Sequence, residues 1–389
     1  MRTIGARAYG IRLPIISRGD DLVSIIAERM AETLRSEGIG LEAGDVLGVT
    51  EAVVAKSQGN YAQIDDIAAD VRNKFGEGAH VGFAFPGISR NRYLHILKGI
   101  ARGAGELTVL LRYPADEVGN PVMDMDAYDN VTDSCDDPIP AKLFTEKAGA
   151  FKHPFTGIDY ISLYGSAGDN IKVYLSRDPR DILKFTDNVV VGDIHSRFVT
   201  KARLAKAGAR NIFTLSDILA SPVNGSGYNE DYGVLGSNIL TDVNIKLFPR
   251  DCAAFLDRLK SALTAKAGMA PEMLVYGDGA FKDPVAGIWE LMDPVVSPAY
   301  TERLGGVPDE LKLKFLADSV VGGLSADEKQ RVVTEMIRGK DTVDANLRLG
   351  TTPRKYADLL GSLCDLMSGS GDKGTPVVLI KGYFDNYAD

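Results

Sequence analysis

Gly44-Asp-Val-Leu-Gly-Val-Thr-Glu-Ala-Val-Val-Ala-Lys-Ser-Gln-Gly59 is the stretch from which the fold class is read. Residues 45–49 form a short apolar strand, and Thr50 turns the chain into the Glu-Ala-Val-Val-Ala-Lys-Ser-Gln-Gly segment that follows. Toward the N-terminus, residues 3–12 read as a strand that opens onto Gly19-Asp20-Asp21. Leu22, Ile25, Ile26, Met30 and Leu34 then repeat at the spacing of an amphipathic helix over 21–36, which Gly38 stops. Toward the C-terminus, residues 65–75 read as a helix ending at Gly76 and residues 80–85 as a strand. Residues 90–102 read as a helix with Tyr93, Ile96, Leu97 and Ile100 on one face, and residues 107–113 as a strand. Strands alternating with helices predict an α/β (α+β) protein with mixed β-sheets and flanking helices.

The second half keeps this rhythm. Residues 171–175 are a strand, and Asp178-Pro179 is a cap followed by a first-turn proline. Residues 188–191 form a buried-type strand ending at Gly192-Asp193, after which Ser196 can cap a helix running to Ala207. Residues 273–276 are a strand ending in Gly-Asp-Gly, and Ser325-Ala-Asp-Glu328 matches a capping box. A helix from Thr352-Pro353 carries Tyr356, Leu359, Leu360 and Leu363, a glycine-rich turn spans 368–374, and residues 377–380 close the chain as an apolar strand. Residues 221–350 are loop-rich and read as a large insertion or second lobe. The expected division is a core over 1–220, this insertion, and 351–389 completing the core. A length of 389 residues suits two domains, or one domain with a large insertion.

The net charge of −9 argues against general nucleic-acid binding by a basic surface. Three cysteines, Cys135, Cys252 and Cys364, are too few and too scattered for a disulfide framework or a zinc knuckle. The four histidines lie far apart, with no HExxH pattern. No stretch reaches the roughly 18 apolar residues of a membrane span, and the first residues lack a leader's apolar core, so a cytoplasmic protein without membrane partners is expected. No GxSxG elbow, Cys–His pairing or strand–GxGxxG–helix unit is present.

Asp20, Asp21, Asp116, Glu117, Asp193, Asp278 and Asp283 sit at strand ends beside glycine or proline, where α/β proteins bind ligands and where carboxylates serve magnesium or manganese beside phosphates. The plainer role of each is a turn former or N-cap. Lys56 lies among small and polar residues and can neutralise a phosphate or remain a solvated lysine. The 368–374 run can wrap an anion or simply turn the chain. Asp358 is either an i,i+4 partner of Arg354 or a metal ligand. His195 and His153 are open between acid–base or metal roles and ordinary hydrogen bonding.

Four segments resemble the coenzyme F-420-0:L-glutamate ligase (gamma-glutamyl ligase) family. They are Gly10-Ile-Arg-Leu-Pro-Ile-Ile-Ser17 with Gly19-Asp-Asp-Leu22, the 44–59 stretch, Val189-Val-Val-Gly-Asp193, and Asp358 through the glycine turn to the last strand. The resemblance covers about the first 120 residues, a patch near 185–205 and the last 40. It implies that family's fold and a GTP- and divalent-metal-dependent ligase, with Mg2+ or Mn2+. In such an enzyme an acceptor carboxylate is phosphorylated and the amine of L-glutamate attacks the acyl phosphate. It places nucleotide contacts on Pro14, Ile15, Ile16, Ser17, Thr50, Glu51, Lys56, Asn120, Gly369 and Gly371. Lys56 and Asp193 are its catalytic residues, and Asp116, Glu117, Asp193 and Asp358 its metal ligands. It also implies a homodimer. The rivals are a catalytically silent nucleotide- or metal-binding homologue, a glutamyl ligase acting on a folate-like acceptor, and a metal-dependent phosphatase. If the acids do not share a cation, each has an arginine within reach: Asp358 with Arg354, Asp193 with Arg197, Asp116 with Arg112.

Overall fold

A computed structural model describes residues 3–152, 157–282, 289–342, 348, 354–368 and 372–388. The elements that position the site run in the order β1 (Arg7–Ile11), α1 (Leu22–Ser36), β2 (Val46–Thr50), α2 (Glu51–Gln58), α3 (Ile64–Phe75), β3 (His80–Ala84), α4 (Arg90–Gly103), β4 (Glu106–Arg112), β5 (Ile139–Pro140), β6 (Ile171–Ser176), β7 (Asn188–Val191), α5 (Arg197–Lys206), β8 (Asn211–Thr214), α6 (Cys252–Ala267), β9 (Glu272–Tyr276), β10 (Ala299–Tyr300), α7 (Tyr356–Ser368) and β11 (Val377–Lys381). Most of the expected strands and helices form within a few residues of their predicted ends. Asp21 caps α1 by accepting from the Ser24 amide, and Ser325 and Glu328 form the capping box of the helix Ala326–Arg338. Ser196 precedes α5 but makes no side-chain cap bond; its hydroxyl donates to Glu117 at 3.2 Å.

The first sheet has the order β1-β11-β2-β9-β10, with β2 and β9 parallel and the other pairs antiparallel. Its middle strand explains the apolar 46–49 run. Leu47 and Val49 face one core with Ile26 and Met30 of α1 and Leu259 and Leu263 of α6, whereas Val46 faces a second core with Leu360 and Cys364 of α7. A strand alternates sides at each residue, so a sheet covered on both faces needs apolar residues at every position. Gly48 follows the same logic: a Cβ there would lie 2.5 Å from Cys364 Sγ, so only glycine lets α7 seat against β2.

The second sheet has the order β5-β6-β4-β3-β7-β8, parallel except for its edge strand β5. Val81, Phe83, Leu107 and Val109 pack against Ile67 and Val71 of α3 and Tyr93, Ile96, Leu97 and Ile100 of α4. Ala84, Leu110, Val189 and Val191 pack on the other face with Ile182 and with Leu204 of α5. The chain leaves β3 toward β4 on one side and β7 toward β8 on the other, so the strand order reverses between β3 and β7. In such sheets that reversal opens a crevice at the carboxyl ends of the two strands.

Several segments of the 221–350 stretch are built into the body of the fold. Its strand β9 sits in the first sheet beside β2, with Leu274 opposite Gly48, and α6 packs on α1. Residues 238–239 and 244–246 form a small sheet with residues 61–63. A break at 220/221 therefore crosses sheet partners, a long-range pairing that local periodicity does not carry.

Candidate active site

A cleft of about 990 Å³ opens between the carboxyl ends of β2 and β9 on one side and the start of α4 on the other. It lies at the top of the usual range for small-molecule sites. Three segments distant in sequence meet in it: Pro14, Ile15 and Ile16; Thr50, Glu51 and Lys56; and Gly374, Thr375 and Pro376. Backbone bonds tie them together, with Leu13 N donating to Gly374 O at 3.3 Å and Thr50 N donating to Pro376 O at 3.0 Å. Thr50 also caps α2, so Glu51 and Lys56 project from a helix whose start is fixed by β2 and β11. Ser17 does not line the cleft; it is exposed and its amide donates to Asp20 at 2.7 Å. Gly369 and Gly371 lie outside the described residues, as do His153 and Asp283.

The charges in the cleft are unevenly paired. Glu51 is buried, and both of its carboxylate oxygens accept from Lys246 Nζ at 2.6 Å. Lys56 is half-buried and has no carboxylate partner among the described residues. Arg92, from the first turn of α4, donates to Asp293 at 2.7 Å and to Asp278, while Asp278 N donates to Asp293 Oδ2 at 2.6 Å. Burial pushes the Asp293 carboxyl up to about 7, against the pull of Arg92 and with help from Asp278 and Glu51. Asp365 of α7 also lines the cleft and accepts from Gly279 N at 2.9 Å. Burial raises its pKa, and the Gly279 amide partly offsets this.

The acids assigned to metal lie elsewhere. Asp193, at the end of β7, accepts from Arg112 at 2.7 Å and from Thr200. Its side chain is 1% exposed, and burial pushes its pKa up to about 6 against the pull of Arg112. Arg112 also stacks on Phe85 at 4.5 Å. Glu117 accepts from the amides of Ile194, His195 and Ser196 at 2.7, 2.9 and 3.1 Å, closing the start of α5. Its charge adds to the upward shift of both Asp193 and Asp116. Asp116 holds its own turn through Val118 N, Asn120 N and Asn120 Nδ2, and Asn120 bonds the backbone of Trp289. The His195 ring meets Leu291 O at 3.0 Å. Asp358 is two helical turns before Asp365, about 10 Å along α7 from the cleft-lining acid. The arginine pairings also differ from those expected: Arg112 takes Asp193, and Asp116 pairs with its own loop.

Asp193 thus accepts from Arg112 and the Thr200 hydroxyl, Asp116 from Asn120 and from its own turn, and Glu117 from backbone amides, while Asp358 lies away from the cleft. Among the described residues no group of three or more His, Cys, Asp or Glu side chains is placed to hold a metal ion. Arg92, Lys246, Asp293 and Asp365 are not among the residues that the sequence singles out. Arg92 was visible as the polar side of the α4 pattern, and Asp365 by its seven-residue spacing from Asp358. Lys246 and Asp293 carry no local signal.

Comparison with known families decides the relationship. The F420-0:gamma-glutamyl ligase model matches residues 10–382. The chain belongs to the F420-0:gamma-glutamyl ligase family. The match runs through 221–350 as well, so the family relationship extends well beyond the terminal segments and the 185–205 patch. It places the chain among ligases of coenzyme F420 biosynthesis that act on small molecules. No curated protein matches the chain. No helix among the described residues is long and apolar enough to cross a membrane.

Proposed function

We propose that the chain uses GTP to activate an acceptor carboxylate and joins it to L-glutamate, with the cleft as its active site. The observation that carries this reading is the meeting of residues 14–16, 50–56 and 374–376 around one cavity into which Lys56 brings a charge with no carboxylate partner among the described residues. Ile15 supports it: this large apolar side chain at the cleft is 89% exposed, a surface that a purine base can cover.

In this reading an oxygen of the acceptor carboxylate attacks the γ-phosphorus and GDP leaves. The glutamate amine then attacks the acyl carbon, phosphate leaves, and the amine proton passes to a cleft carboxylate, Asp278 or Asp365. Lys56 offsets the charge that builds on the transferring phosphoryl group. Mg2+ or Mn2+, when bound with the nucleotide, would supply further neutralisation. The enzyme works as a cytoplasmic homodimer.

The test is calorimetric titration of GTP and ATP into wild type and Lys56→Ala, followed by mass spectrometry of mixtures of GTP, glutamate and carboxylate acceptors, folate-like ones included. GDP and an amide formed only when glutamate is present support the ligase. Binding without turnover points to a silent homologue, phosphate release without an amine to a phosphatase. Absence of nucleotide binding overturns the assignment.

A further inference from the structure

We propose that Arg92 is the fixed cation of the cleft's acids, bonded to Asp278 and Asp293 with Asp365 lining the same cleft, and that it serves there in place of a divalent ion held by the protein. The three acids come from different parts of the chain. Asp278 follows β9, Asp293 lies further along the same connection, and Asp365 is on α7. The Asp278 charge raises the pKa of both Asp293 and Asp365, and carboxylates that act on one another in this way need a cation or a proton to persist near neutral pH. The guanidinium reaches in from α4, on the second sheet's side of the cleft. Its side chain is 11% exposed, and separate nitrogens serve Asp293 and Asp278.

The surrounding backbone is shaped to hold this arrangement. Asp293 Oδ2 takes the Asp278 amide, and Asp365 takes the Gly279 amide. At Gly277 a Cβ would lie 2.3 Å from Asp293 Oδ2, so the chain can pass this close to the carboxylate only as glycine. Each acid is thus oriented by a neighbour other than a metal. Arginine does not give up its proton in proteins, so the charge stays in place at any working pH. A hard divalent ion needs several carboxylate oxygens at close range, and those of Asp278 and Asp293 nearest to hand are already taken. Metal that serves the cleft therefore enters with a ligand and does not wait on the protein.

The experiment is titration of Mn2+ alone, without nucleotide, followed by the electron paramagnetic resonance signal of free Mn2+. Its outcome is independent of whether the cleft takes GTP. Wild type and Arg92→Lys, which keeps the charge, are expected to show no site dependent on Asp278. Arg92→Met and the milder Arg92→Gln are expected to gain one site at least tenfold tighter than any in wild type, and Arg92→Met with Asp293→Asn to lose it. Wild type already binding Mn2+ at a site abolished by Asp278→Asn overturns the proposal, and so does a folded Arg92→Gln that gains nothing. An Asp278-dependent Mn2+ site in wild type overturns the proposal even if the neutral variants do not fold.

Discussion

Lys246→Met tests how the cleft's charges are held. Lys246 and Glu51 have side chains only 9% and 7% exposed, and Nζ sits 2.6 Å from both carboxylate oxygens. Removing the ammonium strands a carboxylate that burial keeps from water. Breaking a buried pair in this way costs about 3–5 kcal/mol. Spread over the unfolding entropy of a chain this long, that is a fall of roughly 4–6 °C in Tm if unfolding is cooperative. Neutralising both partners, Glu51→Gln with Lys246→Met, leaves no buried charge, and most of the loss should return. The assay is thermal and urea unfolding of wild type, the single variant and the double variant under the same conditions. A deficit below about 1 kcal/mol refutes the buried-pair account. So does a double variant no more stable than the single one.

Other expectations concern single residues. Lys56→Ala should lower turnover by roughly a hundredfold with unfolding unchanged, as for loss of one preorganised charge, measured as product formed per enzyme; an unaltered rate removes Lys56 from the chemistry. Gly277→Ala should cost about 1–3 kcal/mol, because its Cβ would lie 2.3 Å from Asp293 Oδ2, and urea midpoints report it. Asp193, pushed up to about 6, is favoured in its protonated form by folding. Its contribution to stability is therefore full below the ordinary carboxylate range and is lost as the pH rises through about 6. Unfolding free energies between pH 4 and 8 should show that decline in wild type and a flatter profile in Asp193→Asn.

Legibility followed how local the information was. β2 and α4 could be read because burial on two faces or on one stripe leaves a periodic mark within a dozen residues. The cleft segments 14–16 and 50–56, like the 368–374 turn, come from a family pattern, since nothing in their spacing says that they meet; of that turn Gly374 lines the cleft, together with Thr375 and Pro376 just beyond it. On α7 the helical period puts Asp358 and Asp365 on nearly the same face, and only the tertiary placement of the helix decides which turn reaches the cleft. Asp193 was matched to Arg197 by nearness in sequence. Its actual partner, Arg112, stands at the end of β4, with β3 between the two strands, and a long side chain reaches across the gap. Lys246 and Asp293 enter from the 221–350 stretch, whose role depends on β9 joining the first sheet, a parallel pairing across more than two hundred residues.

The strand order of the first sheet also dictates a timetable. All six strands of the second sheet lie between residues 80 and 214, so a chain emerging from the ribosome can complete that sheet while much of the protein is still unmade. β1 and β2 must wait for β11, which lies between them but follows β2 in the chain only after all the other strands of both sheets. At typical translation rates the delay is roughly 20–70 s. During it the apolar edges of two strands stand without their partner, an exposure that favours chaperone binding or mispairing with another chain. The cleft is assembled on the same schedule: residues 14–16 and 50–56 gain their third wall only when residues 374–376 arrive.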